Sequence, residues 1–283
     1  VTQPPLSLFP QRPGQRDPNL VTRIGSKTVT VWSATHRLLE TLFRALWSPF
    51  QPGESARAVC RRIAVRQVFF TGFEALPLVS VIASLLGATI VIQAQLLGTV
   101  SGDVLGRMLV AVVLREIAPL TTAIVVAGRS GTAIATELGN MKVNNEILAL
   151  ASLGIDPYRF IVLPRLVGTV VSVLVLTVYF CALAILGGFV ANLALYNTSL
   201  AAMQSGFSEA LVPLDLPLFF CKGLGLGVLV GWLCCHFGME VGASPTEVPQ
   251  RASQAVVYTL LGCVVFNTLV TVGFYSLVGP PLQ

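Results

Sequence analysis

Five apolar runs, each long enough to cross a bilayer, constrain this 283-residue chain more than any other feature. They lie at about 75–98, 104–127, 166–195, 216–237 and 255–278. A helix rises 1.5 Å per residue, so about twenty residues span a hydrocarbon core roughly 30 Å thick. Hydrocarbon offers no partner to backbone N–H and C=O groups, so such runs fold as helices. Composition agrees, with 54% hydrophobic and 11% charged residues against about 25% charged in a soluble domain. The expected fold class is an all-α membrane protein of five transmembrane helices. The third run could tilt or project beyond the bilayer.

Charge sets the expected orientation. Ten of the 18 Lys and Arg residues lie in 1–72, among them Arg57, Arg61, Arg62 and Arg66. Residues 99–106, 192–215 and the tail from Ser276 contain no Lys or Arg. Residues 128–165 contain Arg129, Lys142, Arg159 and Arg165, and 238–254 contain Arg251. Basic and non-basic connections alternate, which predicts a cytoplasmic N-terminus and an outward C-terminus. The basic excess sits beside the first span and favours anionic headgroups. No aromatic-basic platform for nucleic acid is present.

Residues 1–26 are rich in Pro, Arg and Gln and have no apolar core of a signal peptide, so they read as a disordered cytoplasmic leader. Domain organisation is then this leader followed by one membrane domain over 27–283. Within it, residues 28–50 space Leu39, Leu42, Phe43, Leu46 and Phe50 helically, and Glu40 pairs with Arg44. Trp32 and Trp47 stand near the ends, so this stretch suits an N-terminal interfacial amphipathic helix better than a span. Between the second and third spans, 128–165 is polar and helix-compatible, a surface on which a partner outside the membrane can push. Within it, 137–151 reads as one amphipathic helix bounded by Gly131 and Gly154.

Four ionisable residues interrupt the apolar runs: Arg107, Arg115, Glu116 and Lys222. Each is costly in hydrocarbon unless paired, hydrated or close to an interface. Arg107 reads as a snorkelling anchor at the outer surface. Arg115 and Glu116 project about 100° apart on one helix, so they cannot both face lipid. They serve either helix packing or a substrate. Pro119, four residues beyond Arg115, should kink the helix and free a carbonyl. Lys222 is the candidate counter-charge for Glu116, and Arg115 the candidate headgroup contact.

The six cysteines form no C-x-x-C pair and read as apolar packing residues. Gly223, Gly225, Gly227 and Gly231 have the spacing of close helix packing. No phosphate-binding G-x-x-x-x-G-K-[ST] loop occurs. His36 and His236 suit neither a zinc site nor a relay. Gly128, Arg129, Ser130 and Gly131 resemble a hydrolase elbow but lack its G-x-S-x-G pattern. No catalytic or metal site is expected, and the chain reads as a transport subunit rather than an enzyme.

In order along the chain come LREIAP at 114–119, AGRSG at 127–131, TELGNM at 136–141, Asn145 and Glu146, GIDP at 154–157 and LPR at 163–165. Through these motifs the chain resembles the MlaE permease family over about 25–279, less closely in the last two spans. The family comprises membrane subunits of ABC transporters that work with MCE-domain proteins. The resemblance implies a homodimer of five-span subunits in the bacterial inner membrane, N-terminus cytoplasmic and C-terminus periplasmic. Two cytoplasmic ATPase subunits, which hold ATP and Mg, would bind beneath, and a periplasmic MCE hexamer above. It leaves a small cytoplasmic regulatory subunit open. No cofactor is expected in this chain.

By the same resemblance, the polar segment after the second span matches a coupling helix, with Glu137, Met141, Asn145 and Glu146 at the ATPase groove. Arg115 and Glu116 align near a lipid cavity at the dimer interface. Leu96 and Thr99 fall where the outer end of the first span meets lipid, and Lys222 matches a basic residue of the fourth span. The implied function is movement of phospholipid or another hydrophobic lipid between the inner membrane and a periplasmic MCE protein. The alternative is an ion-coupled transporter with Glu116 as proton site; a membrane-embedded lipid enzyme lacks a nucleophile–base pair.

Overall fold

The computed structural model describes residues 54–98, 101–196, 199–242 and 244–278. The leader at 1–26, the expected interfacial helix at 28–50 and Thr99 lie outside the described residues. Among the latter there is no strand, and five helical segments are long and apolar enough to cross a membrane.

The first crossing is a pair of helices. Helix α1 (Glu54–Thr71) turns through a 3-10 turn at Phe73–Ala75 into α2 (Leu76–Leu96). Pro77 starts α2, where its missing N–H is harmless. The run of 75–98 therefore captures α2 alone, while the helical structure begins earlier.

Helix α3 (Gly102–Val143) is longer than its apolar run at 104–127. It includes two π-helical stretches, Leu109–Ile117 and Ala127–Gly131, and passes Pro119 without ending. Gly131 therefore lies inside a helix instead of bounding one. The expected single helix at 137–151 is broken at Asn144 and Asn145. Asn145 adopts φ 59°, a left-handed conformation that Asn tolerates better than most residues. Glu137 and Met141 thus end α3, and Glu146 opens the short α4 (Glu146–Ser152).

Helix α5 (Tyr158–Leu195) runs beside both halves of the first crossing. Gly87 and Gly187 let α2 and α5 touch backbone to backbone, because a Cβ at either would collide with main-chain atoms of Ala184 or Ser84. The connection at 196–214 contains a helix that hydropathy did not reveal, α6 (Leu200–Ala210). It packs on the start of α3, where Gly106 and Gly206 bring the two backbones together. Helices α7 (Asp215–Met239) and α8 (Glu247–Val278) complete the bundle. Gly223, Gly227 and Gly231 face Leu174, Val170 and Leu166 of α5, the close packing their spacing implied. The core runs along α2, α3, α5 and α7 through Val79, Leu109, Val113, Phe180 and Leu226, all fully buried.

Candidate functional site

Arg115 and Glu116 leave α3 toward different neighbours and organise a buried cluster of four opposite charges. The Arg115 guanidinium lies against Asp215, the first residue of α7. Its Nη2 donates to Asp215 Oδ2 at 3.0 Å, and its Nε makes an ion contact of 2.8 Å with Oδ1, outside hydrogen-bond alignment. Nη2 also donates to the Ala210 carbonyl at 3.3 Å, where α6 ends, and Nη1 reaches the Tyr275 hydroxyl at 3.5 Å. Asp215 in turn accepts the Val212 N–H at 2.9 Å. Its carboxylate sits at a helix N-terminus, the end that favours negative charge. Arg115 therefore joins the end of α6 to the beginning of α7.

Glu116 faces α7 and α8. Its Oε1 accepts from Lys222 Nζ at 2.9 Å and Thr271 Oγ1 at 2.9 Å, and its Oε2 accepts from Asn267 Nδ2 at 2.8 Å. Lys222 is fully buried and has three acceptors: Glu116, Thr271 Oγ1 at 2.7 Å and the Arg115 carbonyl at 2.7 Å. That carbonyl is the one Pro119 cannot engage, since proline lacks an N–H. An ammonium has three donors, so none is left over.

The four charges sum to zero, which is what permits them to lie in an apolar bundle. Arg115 is 6% exposed and bonded within the chain, whereas the Glu116 side chain is 34% exposed. Glu116 is thus the member open to an outside group. Asn267 Oδ1 beside it is buried and unbonded. On α7 and α8 an open apolar groove of about 740 Å³ is lined by Phe220, Leu224, Val228, Trp232 and Phe266.

The other expected site residues are spread over both ends of the bundle. Leu96 is 71% exposed at the end of α2. Arg107 pairs with Asp103 and Glu209 at the surface. Glu137, 65% exposed, pairs at 2.9 Å with the buried Arg165, whose Nη2 also touches Met141 Sδ. Glu146 Oε1 accepts from Asn144 at 3.4 Å. Helix α4 has no buried residue, and Leu148 and the following Leu153 are 67% and 75% exposed. Lys142 Nζ donates to the Met239 carbonyl and ties α3 to α7.

Sequence reasoning missed Asp215, Asn267, Thr271 and Glu74. Asp215 left one usable signal: two interior cations faced only one anion, and Asp215 is the acid closest in sequence to the fourth apolar run. Asn267 and Thr271 are uncharged and leave no mark in hydropathy. Glu74 lies at the α1–α2 turn, where Arg129 Nη2 meets its Oε2 at 2.5 Å and Nη1 donates to the Phe70 carbonyl at 3.0 Å.

The sequence model of a family described as Permease MlaE matches residues 64–273. A probable ABC transporter permease protein of Rickettsia conorii is 25% identical over 91% of this chain and 98% of its own length. The intermembrane phospholipid transport system permease protein MlaE of Haemophilus influenzae is 24% identical over 86% of this chain and 92% of its own. The chloroplastic protein trigalactosyldiacylglycerol 1 of Arabidopsis thaliana is 27% identical over 63% of this chain and 51% of its own.

Proposed function

Because the chain belongs to the MlaE permease family, we propose that it is the membrane subunit of an ATP-driven transporter moving phospholipid or another hydrophobic lipid. It works as a homodimer in the bacterial inner membrane, with an ATPase pair on the cytoplasmic side and an MCE-domain hexamer on the periplasmic side. The distribution of Lys and Arg supports placing α4 and the end of α3 in the cytoplasm.

The observation that carries the reading is α4. A seven-residue helix with no buried residue, an exposed Leu148 within it and an exposed Leu153 just after it sets only the partly buried Leu150 against the core of its own chain. It supplies an apolar ridge, rimmed by Glu137, Asn145 and Glu146, on which an ATPase can close. Closure displaces α4 and the end of α3. Helix α3 runs unbroken from Glu137 back to Glu116, a path of about 30 Å, so that displacement reaches the charge cluster. There it changes the fit between α3, α7 and α8 and the lipid space beside Glu116.

Charge reversal at Glu137 or Glu146 tests this. The variants should still assemble, but ATPase binding should weaken or lipid movement per ATP should fall. Normal coupling in both would overturn the docking assignment. The half-exposed Glu116 favours one second reading, an ion-coupled transporter. Lipid movement driven by a proton gradient in vesicles without any ATPase, and lost in Glu116→Gln, would establish that reading instead.

A further inference from the structure

The geometry points to an anionic-lipid site on α1, in which Arg61, Arg62 and Arg66 hold phosphate headgroups while Val65, Phe69 and Phe73 enter the acyl layer. All three arginines are exposed and have no acidic partner among the described residues. The three apolar residues that accompany them are also exposed, at 62%, 56% and 60%. Arg61, Val65, Phe69 and Phe73 follow one another at i,i+4 spacing, so they form a single outward stripe. Phe69 and Phe73 stack at 4.9 Å and continue the stripe into the turn before α2.

The stripe changes from cationic to apolar along the helix axis. Arg62 and Phe69 are separated by about 10 Å of rise, which exceeds the 5–7 Å or so of headgroup layer on each side of a bilayer. A helix in this position puts guanidinium groups among phosphates and rings among acyl chains. The opposite side of α1 is fixed: Gln67 and Thr71 are buried and bonded to each other at 2.6 Å. The site is therefore rigid rather than a dangling basic tail.

The neighbouring α5 makes the same transition at the same level. Gly168 abuts Gln67 and Gly72 abuts Ser172, which sets α1 and α5 parallel. On α5 the exposed valines begin at Val167 and continue through Val171 and Val175. Before them comes Arg159, whose Nη2 is buried without a partner among the described residues. Along both helices most cations precede the exposed apolar side chains: Arg61 and Arg62 come before Phe69 and Phe73, with Val65 and Arg66 at the transition, and Arg159 comes before Val167. An acidic protein would satisfy the arginines but leave Val65, Phe69 and Phe73 in water; a bilayer leaflet supplies both environments in the right order. The inference needs only that the chain spans a membrane, whatever powers its transport.

Native mass spectrometry of the full chain tests it, after equilibration with micelles containing equal phosphatidylglycerol and phosphatidylcholine. Wild-type protein should retain phosphatidylglycerol preferentially. Each arginine at an anionic surface is worth about fivefold in affinity. The combined Arg61→Gln, Arg62→Gln and Arg66→Gln variant should therefore lose at least about tenfold of that preference. Lysines at the same positions should keep most of it, and Arg107→Gln, at the other end of the bundle, should keep all of it. An unchanged preference in the triple glutamine variant, or none in the wild type, would overturn the site. Displacement of the lipid by inorganic phosphate would mark a simple anion site and overturn the membrane assignment. Unchanged lipid retention with loss of a co-expressed ATPase would assign the face to a protein.

Discussion

Two sets of ion pairs divide the bundle, and they differ in how much water they keep. In the interior cluster, Arg115, Asp215 and Lys222 are almost wholly buried, and only Glu116 opens outward. At the α4 end, Glu74 and Glu137 are 43% and 65% exposed, although their partners Arg129 and Arg165 are more enclosed. A buried pair is neutral as a unit but costly to split, because the survivor stays charged in an apolar place. In the end pairs the carboxylate returns to water when the pair is broken, so what the loss costs depends on whether the enclosed arginine keeps another acceptor. The interior cluster therefore specifies how α3, α6, α7 and α8 fit together.

The largest effect should come from splitting Arg115 and Asp215. Asp215→Ala strands a guanidinium and frees the junction between α6 and α7, at a cost of about 3–5 kcal/mol. The thermal transition of the purified protein should fall sharply. Replacing both partners together, Arg115→Met with Asp215→Leu, should recover much of that stability. A double variant no more stable than the single one would show that the ion pair is not what holds the junction.

Lys222→Met should cost somewhat less, about 2–4 kcal/mol. Glu116 keeps Thr271 and Asn267 and has its own access to water, while the Arg115 carbonyl loses its donor. Adding Glu116→Gln should restore part of the stability, and a double-mutant cycle reads the coupling. Independent effects would contradict the pairing.

Arg129→Gln should destabilise by about 1–2 kcal/mol, since it removes a charge-assisted bond and leaves the Phe70 carbonyl at the α1–α2 turn without its donor. Its local signature is faster amide exchange near Phe73–Ala75. Glu74→Gln removes only the exposed partner and should cost less than about 1 kcal/mol. Equal effects of the two substitutions would mean that the carbonyl contact contributes nothing. The smallest change in stability should come from Glu137→Gln, about 1 kcal/mol or less, because the amide oxygen can still accept from the buried Arg165, so any defect in ATPase coupling there would reflect docking rather than unfolding.

Much of this architecture follows from the order of residues. Runs of apolar side chains determine the five crossings, because burial of unbonded backbone in hydrocarbon leaves no alternative to helix. The spacing of the last glycines determines close packing of α7. The cost of an isolated charge determines that Glu116 and Lys222 seek partners, and their pairing was legible on that ground. Tertiary structure decided the rest. Asp215 lies 100 residues from Arg115, and only the registers of α3 and α7 bring them together. Helix α6 is too polar to register as a span and exists where it does because Gly106 and Gly206 admit it against α3. The continuation of α3 past Gly131 was hidden for a similar reason: glycine is a weak local breaker, and packing against Cys234 of α7 leaves no room for a side chain there. Local sequence sets which groups must be satisfied, and the packing of distant helices determines which atoms satisfy them.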